Sequence, residues 1–97
     1  MPVILFVRIA TDLDRAEIER RMAERAPAFQ KVRGLVGKRF GYDETTGNIC
    51  GSYVFDSRDA LEAYLGSDLA ASIPQAYEAM HVRRETFDLV RSVKGPE

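Results

Sequence analysis

The stretch Leu35-Val-Gly-Lys-Arg-Phe-Gly-Tyr42, then Asp43-Glu-Thr-Thr-Gly47, then Asn48-Ile-Cys-Gly-Ser-Tyr-Val-Phe55, decides the fold. Two segments rich in β-branched and aromatic residues flank a short polar loop that ends in a glycine suited to positive φ, which predicts a β-hairpin. With Tyr42 paired to Asn48, Leu35, Gly37, Arg39 and Gly41 share one face with Ile49, Gly51, Tyr53 and Phe55. Val36, Lys38, Phe40, Cys50, Ser52 and Val54 then take the other face. A slip of one residue would exchange the two sets, because side chains alternate with period two.

Upstream of the hairpin, Asp14-Arg-Ala-Glu17 has capping-box spacing and opens a helix. Ile18, Met22, Ala26 and Phe29 recur on one face of it, while Arg15, Glu19, Arg20 and Glu24 stay in solvent. Pro27 should kink this helix or end its regular part near Ala26. Before it, Val3 to Ile9 is a strand with Val3, Leu5, Val7 and Ile9 on one face and Ile4, Phe6 and Arg8 on the other. A strand apolar on nearly both faces is expected to be central and covered twice.

Downstream, Asp56 or Ser57 caps a second helix carrying Leu61, Tyr64 and Leu65, with Gly66 as its C-terminal stop and a short continuation to Ile73-Pro74. Met80 to Val90 is the last strand, and Lys94-Gly-Pro-Glu97 is a polar tail. The order is β-α-β-β-α-β. It predicts an α+β, ferredoxin-like domain spanning residues 1–97, a four-stranded antiparallel sheet with both helices on one face. The other face carries Ile4, Phe6, Val36, Phe40 and Val54 with no helix left to cover them, so a second sheet in a homodimer is the expected cover.

Composition sets limits around this reading. The 97 residues hold 14 Lys and Arg against 15 Asp and Glu, a net charge of −1, with 45% hydrophobic side chains, which suits one small domain and not a binder of polyanions. Nucleic-acid partners are therefore not expected. The single cysteine, Cys50, makes no intramolecular disulfide and the chain has no Cys/His set for zinc, so a cytoplasmic setting without a metal site is expected. The apolar opening has no basic segment before it and meets Arg8 too early for a signal or membrane span, so no membrane partner is expected either.

Two motif resemblances fail on chemistry. Gly34-Leu-Val-Gly-Lys-Arg39 lacks the spacing and the Ser or Thr of a phosphate loop, and its glycines read as strand glycines. Cys50-Gly-Ser-Tyr-Val-Phe55 lacks the basic-Gly-aromatic order of an RNA-recognition strand. His81 is the one imidazole and so the default candidate for a general base, although a lone histidine at a strand mouth is commonly a surface residue. Cys50 reads as strand filler. Arg39, Tyr53 and Tyr64 are expected around one space between sheet and helices, each able to donate a hydrogen bond. The tyrosines also fit as core aromatics with hydroxyls reaching an edge, and Arg39 either lines an anion-accepting pocket or lies at the sheet rim.

The chain resembles the dimeric α/β-barrel superfamily, and within it the small monooxygenases similar to antibiotic-biosynthesis monooxygenases. The resemblance spans nearly the whole chain and rests on Gly34-Leu-Val-Gly-Lys-Arg-Phe40, Gly51-Ser-Tyr-Val-Phe55, Ala60-Leu-Glu-Ala-Tyr-Leu-Gly-Ser-Asp68 and Thr86-Phe-Asp-Leu89. It implies a dimer with a substrate pocket in each protomer, between sheet and helices. It implies oxygenation of a small aromatic or phenolic compound without metal, flavin or other cofactor: the substrate loses a proton, its anion passes an electron to O₂, and the protein supplies a base and oxyanion donors. On this resemblance His81 is the expected base, with Tyr64, Tyr53 and Arg39 as donors to the substrate. Haem-degrading relatives place an Asn, a Trp and a haem-ligating His where this chain has Val7, Tyr64 and Pro74, which argues against haem degradation. The alternatives are a non-catalytic dimeric protein that binds a small apolar molecule, or an isomerase on the same scaffold.

Overall fold

Alternation along the first strand sets the layering. In a computed structural model that describes residues 1–96, Val3, Leu5, Val7 and Ile9 are at most 4% exposed, while Ile4, Phe6 and Arg8 are half-buried. This strand, β1 (Val3–Ala10), is followed by helix α1 (Arg15–Phe29), strands β2 (Leu35–Asp43) and β3 (Asn48–Phe55), and helix α2 (Arg58–Leu65). Two single-turn helices, α3 (Asp68–Ala71) and α4 (Ile73–Ala76), lead into strand β4 (His81–Asp88). The sheet is antiparallel throughout with the order β2-β3-β1-β4, so β1 is central as expected. This is the ferredoxin-like arrangement. Glu97, the end of the expected polar tail, lies outside the described residues.

The helices cover one face. Ile18 and Phe29 of α1, Leu61 and Tyr64 of α2, Ala70 and Ile73 join Val3, Leu5, Val7, Ile49, Tyr53 and Phe55 in a single core. Asp14 caps α1 by accepting from the Glu17 amide at 2.9 Å, and Ser57, not Asp56, caps α2 by accepting from the Ala60 amide at 3.1 Å. Pro27 does not end α1, which runs on to Phe29. Proline near a helix end forfeits one backbone hydrogen bond, whereas Phe29, 6% exposed, is anchored against Phe40, Tyr53 and Tyr64 at ring-centroid distances of 5.8, 6.0 and 6.3 Å. Burying a phenylalanine contributes about 2 to 3 kcal/mol, so the ring decides.

The hairpin register is one residue away from the expected pairing over most of its length. Asp43 pairs with Asn48 and Tyr42 with Ile49. The cause is local: the Asp43 carboxylate accepts from the Thr45 amide at 2.9 Å, and the Asp43 carbonyl accepts from the Gly47 amide at 2.7 Å, with Gly47 at φ 75°. Asp43 is thereby the last strand residue and not the first loop residue. Arg8 Nη1 holds the other carboxylate oxygen at 3.0 Å. The displaced residue is absorbed at the far end by a bulge between Leu35 and Gly37, which leaves Val36 68% exposed and keeps Leu35 opposite Phe55. Lys38, Phe40 and Tyr42 therefore face the helices, and Gly37, Arg39 and Gly41 face away.

Among the described residues the sheet's other face carries no helix. Ile4, Phe6 and Val54 are half-buried there and Phe87 is 51% exposed. Phe40, expected among them, lies on the helix side instead because of the register change.

Candidate functional site

Pairing of Lys38 with Tyr53 across β2 and β3 places an ammonium group inside the helix-covered layer. Its Nζ lies 3.7 Å from the ring centroid of Tyr53, 4.2 Å from that of Phe40 and 4.5 Å from that of Phe29. Gly51, next to it on β3, makes the room: a Cβ there would meet Lys38 Nζ at 3.1 Å and Tyr53 Cε1 at 3.2 Å. Burial lowers the Lys38 pKa to about 7, with the Arg25 charge adding to the effect.

Arg25 enters from α1. Its Nη1 donates to Ser72 Oγ at 3.1 Å and its Nη2 to the Leu69 carbonyl at 3.4 Å, while its buried Nε has no partner. The buried Tyr77 hydroxyl also lacks a hydrogen bond of acceptable geometry. Burial pushes the Tyr77 pKa up, and the Arg25 charge opposes that shift. The Tyr64 hydroxyl donates to the Tyr53 hydroxyl at 3.3 Å, and burial raises the pKa of both phenols.

Arg25, Lys38, Tyr53 and Tyr77 line an interior void of about 10 Å³, room for about one water, walled by Val7, Ile9, Phe29, Phe40, Ile49 and Ile73. An open cleft of about 320 Å³ lies outside it, between the end of α1 and the start of β2. Phe29, Lys38 and Phe40 border both spaces and form the partition between them.

The structure brings Tyr53 and Tyr64 together as expected and separates the other two candidates from them. Arg39, opposite Ser52, is exposed on the uncovered sheet face, where it borders a shallow depression of about 620 Å³ with Ile4, Val36 and Val54. The one-residue register change exchanges Arg39 for Lys38 at the interior site. His81 opens β4 opposite Ala10, exposed, and by alternation shares the uncovered face with Phe6 and Arg8. Neither Lys38 nor Arg25 stood out in the sequence. The signal for Arg25 was its place on the apolar stripe of α1, three residues after Met22 and four before Phe29. The signal for Lys38 was Asp43-Glu-Thr45, an aspartate positioned to accept from the amide two residues on.

Among the described residues no group of His, Cys, Asp or Glu could hold a metal ion, and no helix is long and apolar enough to cross a membrane.

A ferredoxin-like sheet with a helix-covered interior of this kind defines the class. SnoaB, a cofactor-independent oxygenase from Streptomyces nogalater, superposes with a TM-score of 0.76 over 97% of this chain and 98% of its own, at 17% identity. The heme-degrader MhuD from Mycobacterium tuberculosis, solved with two hemes bound in its active site, gives 0.76 over 95% and 99% at 19% identity. At these identities the likeness is one of fold. No curated protein matches the chain in sequence. The family model described as "Putative mono-oxygenase ydhR" matches residues 4–94, and the chain belongs to that family.

Proposed function

We propose that the protein is a cofactor-independent monooxygenase acting on a small aromatic or phenolic compound in the space between sheet and helices. The observation that carries this reading is the convergence of Lys38, Arg25, Tyr53 and Tyr77 on one aromatic-walled void in a chain of a monooxygenase family. The family's chemistry needs little more than a dry site, a proton acceptor and donors to an oxyanion. Oxidation of an anthrone-type CH₂ to a carbonyl illustrates the balance. Loss of a proton gives an anion, which passes an electron to O₂. The two radicals combine to a peroxide, and loss of the second proton with cleavage of the O–O bond leaves one oxygen atom in the product and the other in water. The substrate supplies all the electrons, so no reductant is required. Tyr53 is the proposed hydroxyl donor to the substrate, with Tyr64 donating to Tyr53 from behind.

Oxygen uptake with anthrone by the purified protein tests this. Uptake of one O₂ per quinone formed, without added metal or flavin, is expected. Loss of turnover in His81→Ala would place the base on the sheet's other face and contradict the interior site. A non-catalytic binding protein is the second reading, favoured by a void that holds about one water. Saturable binding of anthrone with no oxygen uptake would establish it.

The uncovered sheet face supports a homodimer as the working form, a second copy burying Ile4, Phe6, Val54 and Phe87, and we propose the cytoplasm as its setting. Sedimentation at micromolar concentration is expected to show a dimer that Ile4→Glu dissociates. A wild-type monomer would contradict it.

A further inference from the structure

We infer that the interior site takes its ligand as an anion, a phenolate or enolate oxygen seated between Lys38 Nζ and the Arg25 guanidinium, with Lys38 receiving the proton the ligand gives up. The inference rests on the oxygenase reading for its substrate class and on the charges of the site for the rest.

Other half-buried arginines of the described chain have carboxylate partners. Arg8 pairs with Asp43 at 3.0 Å, and Arg21 with Glu17 at 2.7 Å and Glu78 at 2.9 Å. Among the described residues Arg25 has no carboxylate partner, only the Ser72 hydroxyl, the Leu69 carbonyl and the Phe29 and Tyr77 side chains, and Lys38 makes ring contacts but no hydrogen bond or ion pair. Two half-buried basic groups beside one void with no carboxylate between them oppose each other's charge, and an anion seated there would let both be charged at once. The Tyr77 hydroxyl stands beside the Arg25 guanidinium, and neither it nor Arg25 Nε makes a well-formed hydrogen bond, so both retain capacity for a ligand oxygen.

The groups that face the void from each element are consistent in sign. Arg25 comes from α1, Lys38 from β2, the Tyr53 hydroxyl from β3, and Tyr77 from the segment after α4, while the Cys50 thiol, opposite Arg8, points to the other face of the sheet. Behind Tyr53 stands the Tyr64 hydroxyl of α2. No carboxylate lines the void or the cleft. The cleft, about 320 Å³, matches the smaller end of ligand pockets and would hold the ring against Phe29 and Phe40, with its oxygen turned inward. Lys38 borders both spaces on a flexible four-carbon stem, so it can follow the oxygen.

The proton transfer balances within the site: a neutral phenol and a neutral amine become a phenolate and an ammonium. Because burial and Arg25 set the Lys38 pKa at about 7, the free amine is available near neutral pH.

4-Nitrophenol, whose phenolate absorbs in the visible and whose ring is not oxidised by this chemistry, is the probe. The full-length protein is expected to bind the phenolate at least about tenfold more tightly than the phenol, read as a downward shift of about one unit in the ionisation of the bound probe. Lys38→Met should abolish that preference, and Lys38→Arg, which keeps the charge, should retain it. Circular dichroism confirms that both variants fold. An unchanged ionisation of the bound probe, no saturable binding, or a wild-type preference in Lys38→Met would overturn the inference. Anthrone turnover by a protein that binds the probe as a neutral phenol would overturn it while leaving the oxygenase reading intact. Phenolate binding that depends on Lys38, without oxygen uptake, would do the reverse.

Discussion

Replacing Lys38 by methionine is expected to raise the melting temperature by roughly 10 °C at or below neutral pH while removing activity. The physical reason is the cost of a charged ammonium in a covered layer. Its pKa falls from 10.5 to about 7, which means that folding disfavours the charged form. Contacts with the Phe29, Phe40 and Tyr53 rings offset part of this, each by about 0.5 to 2 kcal/mol. Methionine fills the same space without charge, and a net gain of about 2 kcal/mol remains. The sign of the pH dependence follows from the direction of the shift. The unfolded chain binds more protons at this position between the two pKa values, so the wild-type penalty is complete below about 7 and fades toward 10.5. The advantage of the variant should fade with it. Calorimetric scans near pH 6 and near pH 10 (about those values) check both parts. A lower melting temperature for Lys38→Met at both would mean that the rings more than compensate the ammonium.

A second large effect is expected at the turn that aims β2. Gly34 sits at φ 82°, and a Cβ there would lie 2.4 Å from Ala60 Cβ and 3.0 Å from Asp56 Oδ1. The Gly34 carbonyl accepts from the Asp56 amide at 2.9 Å, so the end of the α1–β2 turn is tied to the start of α2 with no space for a side chain. Gly34→Ala should destabilise the fold by about 3 kcal/mol or more, combining the cost of positive φ with overpacking against α2. That lowers the melting temperature by more than about 10 °C in a domain of this size. Adding Ala60→Gly removes the closest contact but not the backbone strain, so the double variant should recover about half of the loss. Full stability in Gly34→Ala would show that the turn relaxes freely and does not fix the start of β2.

Most of the architecture was legible because it depends on periodicity and caps. The alternation of Val3, Leu5, Val7 and Ile9, the Asp14 cap and the Ile18 to Phe29 stripe each state one local preference, and tertiary packing agrees with it. The hairpin register was not legible in the same way. It turns on whether Asp43 is counted with the loop or the strand, a choice made by a hydrogen bond from the Thr45 amide and an ion pair with Arg8, which is 35 residues away. That choice decides whether Arg39 or Lys38 enters the interior, because alternation carries a single-residue error along the whole strand. Tyr53 and Tyr64 survived the error. Tyr53 lies on the strand whose faces were anchored by Phe55, and Tyr64 was placed by helical spacing alone. His81 was singled out for its intrinsic titration range, which carries no information about the side of the sheet it occupies. Arg25 was missed because a charged residue on an apolar stripe reads as solvent-facing, while the structure uses its stem for packing and leaves its head beside the void.

The interior assignment also explains why the void is small. With Lys38 resting on the rings of Tyr53, Phe40 and Phe29, the space behind it is narrowed, and a ligand oxygen that draws the ammonium toward itself would join void and cleft into one site. The most direct measurement is a crystal structure of the protein soaked with 4-nitrophenol. The ring is expected between Phe29 and Phe40 at the end of α1, its oxygen within hydrogen-bond distance of Lys38 Nζ. A ligand seated instead beside Arg39 on the uncovered sheet face, or an interior left closed and empty of it, would contradict the account.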